Sequence, residues 1–107
     1  MLCLPLSFDW EDWWQLCLPA CREASRFQDR LALATDLALE LCSDLGARAT
    51  WFCLVDRAQH HPDLLSRILA GGHRIALHGL DHTRACDLDR RNFERWLREG
   101  RARLEDC

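Results

Sequence analysis

The 107-residue chain has no lysine: all 14 of its basic residues are arginine. The two cations differ at bidentate sites, but replacement at every position reflects coding bias rather than the chemistry of one site. An excess of positive charge is missing as well. Against 17 acidic residues the net charge is −3, which removes the electrostatic case for binding nucleic acid or an anionic membrane. No apolar run is long enough to span a bilayer, and no basic segment followed by an apolar stretch opens the chain. The expectation is a soluble, cytoplasmic protein. Seven cysteines are present, an odd number, yet no C-x-x-C pair occurs among them. Cys42 and Cys53 fall where a helix and a strand would carry apolar side chains. The set therefore reads as small buried hydrophobes in a reducing compartment, not as a disulfide or zinc scaffold. Repeats, low-complexity segments and domain boundaries are also absent. The length bounds the chain to one domain, and 49% hydrophobic residues argue against disorder.

What is present alternates between strand-like and helix-like patterns. Leu2 to Phe8 is a short apolar run that Pro5 restricts to a strand start or an edge, with Leu6 to Asp9 as its core. Trp13 to Phe27, with Trp14, Pro19 and Cys21, has no clean period and reads as a loop. From Asp29 to Leu45 the residues Leu31, Ala34, Leu37, Ala38, Leu41 and Leu45 recur at helical spacing, and Gly46 supplies a stop. Ala47 to Val55 reads as a strand buried on both faces. Pro62-Asp63 opens a helix that ends at Gly71-Gly72, and His73 to Leu77 reads as a third strand. His78 to Leu88 reads as a loop. Asp89 then caps a last helix whose inner face carries Phe93, Trp96, Leu97 and Leu104. Such alternation predicts parallel strands joined by crossovers, an α/β fold of about three βα units.

Two clusters stand out against this frame. Asp9, Glu11 and Asp12 put three carboxylates into four residues just past the first strand. Taken alone, that is a solvated acidic turn, because like charges repel unless a proton or cation relieves them. Past the third strand comes His78-Gly79-Leu80-Asp81-His82, with two imidazoles four residues apart. The ends of parallel strands face one side of a sheet, so the two clusters can meet there. Two imidazoles and a carboxylate hold zinc, iron or cobalt and leave a position open for water. His60 and His61, just before Pro62, read as surface residues, and His73 as a hydrogen-bonded structural one.

The segments Ser7-Phe8-Asp9-Trp10-Glu11-Asp12, Ala49-Thr50-Trp51-Phe52, Gly72-His73-Arg74-Ile75 and His78-Gly79-Leu80-Asp81-His82 resemble the NodB-homology polysaccharide deacetylases, carbohydrate esterase family four. The D-x-E-D form of the first segment is similar to the exopolysaccharide-locus branch. The resemblance covers nearly the whole chain, and it implies a partial (β/α) barrel in which residues 1–107 are the N-terminal part of the domain. It implies a divalent metal, with zinc first, held by His78 and His82, and it implies Asp9 as the general base. Trp10 follows Asp9 where the family's common pattern places a ligand, and an indole cannot ligate. Glu11, two residues along and on the face of Asp9, is the first choice as third ligand, with Asp12 in reserve. Gly79 stands where many members carry Ser or Thr. The implied activity is removal of N- or O-acetyl groups from an acetylated polysaccharide or oligosaccharide. The family's later motifs lie beyond the equivalent of Cys107, including a histidine general acid. The isolated chain is therefore expected to be a fragment, weakly active or inactive. The alternatives are a cyclic amide or imide hydrolase on the same scaffold, and a non-catalytic remnant.

Overall fold

The computed structural model describes residues 4–12 and 28–107. The segment Trp13 to Phe27, expected to be a loop, lies outside the described residues, as do Cys3, Cys17 and Cys21. Three strands, β1 (Ser7–Trp10), β2 (Thr50–Leu54) and β3 (Arg74–Gly79), form one sheet in the order β1-β2-β3 with both pairings parallel. Helix α1 (Leu31–Asp44) precedes β2, while α2 (Val55–His60) and α3 (Pro62–Ala70) lie between β2 and β3. Helix α4 (Arg90–Glu105) follows β3 after a single 3₁₀ turn at Ala85–Asp87. The α/β expectation of three βα units holds. The described strands make an open sheet, and barrel closure is not shown.

The register aligns the strands at their functional ends. Phe8 is level with Trp51 and Ile75, Asp9 with Phe52 and Ala76, and Trp10 with Cys53 and Leu77. Side chains alternate across a strand. One face therefore gathers Trp10, Trp51 and Cys53, which enter a single core with Leu31, Cys42, Ala58, Leu64, Leu65 and Ile68 from the helices. On the opposite face Asp9 is exposed and Phe52 half-buried. On that face of β2 Thr50 and Phe52 are half-buried and Leu54 is buried, so burial on both faces holds only at the end of the strand.

Next to Cys53 the ladder slips. Cys53 pairs with Leu77, but Leu54 pairs with Gly79, so His78 is passed over and has no partner on β2. An irregularity of this kind bends a strand and re-aims a side chain. Strand β3 accordingly runs two residues further than the sequence pattern indicated, and it carries His78 and Gly79 within it.

Helix α1 turns a different face inward from the one its leucines suggested. Leu31, Thr35 and Cys42 are buried, with Ala38 and Leu39 packed beside them. Leu37 and Leu41 are 58% and 53% exposed, and Leu33 and Leu45 are exposed too. Apolar residues occupy most of this helix, so their spacing leaves its rotation undetermined. A polar contact fixes it instead: the Trp10 indole Nε1 donates to Thr35 Oγ1 at 2.8 Å, and Thr35 Oγ1 donates to Leu31 O at 2.6 Å.

Helix α2 was not foreseen in the sequence. It is short, has no side-chain cap, and inserts only Val55 and Ala58 into the core. Helix α3 begins at Pro62, where a missing N–H is harmless, and buries Leu64, Leu65 and Ile68. The Asp89 cap of α4 is as expected, with Asn92 N donating to Asp89 Oδ1 at 2.8 Å. Leu97 departs from its expected inward position and is exposed. The close contact of α4 with β3 is made instead by Gly100, where an added Cβ would lie 3.1 Å from both Cδ atoms of Leu77.

Candidate metal centre

Glu11 follows β1 directly and His78 sits near the end of β3, so both lie at the C-terminal end of the parallel sheet. Asp9 and Ala76 are level across the sheet, and Glu11 and His78 each lie two residues beyond them. A two-residue step preserves the face. The turn from Gly79 to Asp81 then brings His82 back over the same spot. Its shape is held on both sides: Asp56 N donates to Leu80 O at 3.3 Å, and Thr83 N donates to Asp81 Oδ1 at 2.8 Å.

Among the described residues, Glu11, His78 and His82 form the one group of three whose ligand atoms all lie within 4.8 Å of one another. Glu11 Oε2 is 3.7 Å from His78 Nε2 and lies against His82 Nε2. The imidazole rings meet edge to face, with centroids 5.6 Å apart. Glu11 is only 10% exposed, and its Oε2 is shielded from solvent. A buried carboxylate oxygen needs a polar partner. This one faces the Nε2 atoms of both imidazoles, the arrangement of a ligand set. Two nitrogens and one carboxylate oxygen suit a zinc-type ion with a position left open.

The structure separates the three carboxylates that the sequence placed side by side. Asp9 is 63% exposed, and its Oδ1 lies 3.9 Å from His78 Nδ1, the nitrogen turned away from Glu11. Asp12 is not part of the ligand group. It is 2% exposed and accepts from Arg30 N at 3.1 Å, tying the end of the acidic segment to the start of α1. Next to it, Asp29 accepts from Leu31 N at 2.9 Å, and its Oδ2 meets His61 Nε2 at 2.9 Å. His61, read from the sequence as a surface residue, is therefore engaged, while His60 is exposed. Burial pushes the Asp29 carboxyl up, but hydrogen bonds with Leu31 N–H, Asp12 and His61 outweigh it and hold it below the ordinary aspartate range. His73 is the structural residue expected: it is buried, and Ala49 N donates to its Nδ1 at 3.1 Å.

Two contributors, visible in the sequence as part of the second cluster and of the inner face of the last helix, carried no sign there of a role at the site. Asp81, between the histidines, shapes their turn. Burial raises its carboxyl, yet hydrogen bonding from Thr83 and the nearby His82 bring it below its usual value. Trp96 of α4 packs onto Gly79 from behind. Only a structure reveals that contact, because α4 is brought there by tertiary packing.

Comparison with known proteins bears on the family of the chain. Residues 24–107 match the family described as polysaccharide deacetylase, a stretch that contains both histidines and begins after the acidic segment. A curated relative, the chitooligosaccharide deacetylase of Rhizobium leguminosarum bv. trifolii, is 32% identical over 65 residues. That alignment takes in 61% of this chain but 30% of the relative, so the chain spans less than a third of that protein's length. No solved structure matches. With the family match running over well more than half its length, this chain belongs to the polysaccharide deacetylase family.

Proposed function

We propose that the chain carries the metal-binding part of a hydrolase that removes N- or O-acetyl groups from a polysaccharide or oligosaccharide, with zinc as the preferred ion. The observation that supports this most is the shielded Glu11 Oε2 converging with the Nε2 atoms of His78 and His82. These three residues would hold the ion. When bound, the ion supplies Lewis-acid polarisation of the acyl oxygen and a more acidic water.

The protein's own groups do the rest. Asp9, exposed on the open face of the sheet, is the base that takes a proton from the attacking water. Its carboxylate also lies nearest the Nδ1 side of His78, which favours the tautomer leaving Nε2 free to ligate. Asp12 holds the acidic segment against α1 and so keeps Glu11 in place. The name of the Rhizobium relative makes acetylated chito-oligosaccharide the first substrate to try.

The test is zinc content and acetate release from acetylated chito-oligosaccharide, for wild type and His78→Ala. Stoichiometric zinc in the wild type and its loss in the variant, with acetate falling to background, is the expected result. Equal zinc content in the two proteins would remove the site as proposed.

A further inference from the structure

The turn that joins the two histidines is built against a side chain from another element. Gly79 adopts φ +136°, a conformation that L side chains rarely take. A Cβ there would sit 2.5 Å from Trp96 Cη2 and 2.8 Å from Cζ2. The far edge of the indole therefore occupies the space that any other residue at 79 would fill. Trp96 is itself backed by Phe93, the rings stacked at 22° with centroids 6.1 Å apart. Its Nε1–H is buried and completes no well-formed hydrogen bond. The indole thus touches the residue directly after His78, at the start of the turn that leads to His82.

We propose that Trp96 is a positioning residue of the metal centre: by filling the space beside Gly79, it sets the pitch of the turn that brings His82 to His78 and Glu11. The role rests on the metal-centre reading above. Trp96 meets β3 at its last residue, Gly79, where the strand passes into the turn that carries His82, whereas Gly100 of the same helix meets Leu77 further back in the strand. Groups that orient ligands from behind typically change metal affinity by about 10–100-fold when removed.

The experiment measures zinc affinity by competition with a chromophoric chelator, with thermal melting of the same samples. Trp96→Phe keeps a ring to stack on Phe93 but falls short of Gly79, so it is expected to fold and to bind zinc about 10-fold or more weakly. Trp96→Ala should lose at least as much. Leu104→Ala, on the same helix and packed on the core away from the turn, should melt earlier yet keep wild-type affinity. Zinc binding by Trp96→Phe within twofold of wild type would overturn the role given to Trp96 and leave the metal centre standing. An equal loss of affinity in Leu104→Ala would overturn it too, since the effect would then be general destabilisation. Wild type binding no more zinc than Glu11→Ala would overturn both readings.

Discussion

Individual side chains in this molecule diverge where the sequence makes them look alike. Asp9, Glu11 and Asp12 are three carboxylates in four residues, yet one is exposed, one is half-buried beside two imidazoles, and one is buried against the α1 N-terminus. The sequence showed that Asp9 and Glu11 share a face, because a strand has a two-residue period. It could not show what lies opposite Asp12, since that partner is the backbone of Arg30, set by how α1 docks. Asp29, in the same network, gives a pH test. Its folded-state carboxyl is held low, so its contribution is present above the unfolded value of about 4 and is lost as pH falls through the lower folded one. Asp29→Asn should therefore flatten the acid limb of a plot of melting temperature against pH. A limb as steep as that of the wild type would contradict the assignment. The cysteines diverge likewise. Burial, and secondarily the charge of Cys107, pushes the Cys53 thiol up to about 12, and burial also raises Cys42. Iodoacetamide at neutral pH should label Cys86 and Cys107 and spare these two, as peptide mass mapping would show.

At the level of elements, the strands were legible and the helix faces less so. Short apolar runs bounded by Pro, Gly and charge located β1, β2 and β3 to within a few residues. The Asp89 cap and the Pro62 start located α4 and α3 by local chemistry alone. Helix α1 defeated the same approach because leucine or alanine occupies so many of its positions that several faces look apolar. Its rotation is chosen by Thr35, whose hydroxyl meets the Trp10 indole. Thr35→Val should cost about 1–3 kcal/mol, since it leaves a buried indole N–H without an acceptor. Leu37→Gln and Leu41→Gln on the exposed face should each change stability by less than about 0.5 kcal/mol. Urea titrations of the three variants would distinguish this rotation from the leucine-inward one, which predicts the opposite ranking. Helix α2 was missed for a simpler reason: six residues with two buried side chains carry too short a pattern to read.

Across the whole molecule, the candidate centre joins the first strand to the third, with β2 between them. Neither half is a site alone, and the sequence made the pairing visible only through the rule that parallel strands end on one side. An ion bound there would favour the folded sheet over the open chain by mass action, about 2.7 kcal/mol at a free concentration one hundred times the dissociation constant. Zinc should therefore raise the melting temperature and a chelator lower it, and Glu11→Ala should abolish the difference. A melting temperature indifferent to zinc would mean that β1 and β3 are not tied in this way. The described residues contain no helix long and apolar enough to cross a membrane, in keeping with the sequence.

The slip that leaves His78 unmatched has a design consequence. A side chain whose backbone answers to no neighbour can be re-aimed, or exchanged for a different donor, while the pairs before and after it stay closed. If the centre binds a cation as proposed, its preference would thereby be uncoupled from sheet integrity. A library randomised at position 78 should yield variants that differ widely in which ion they select and little in how they unfold without one.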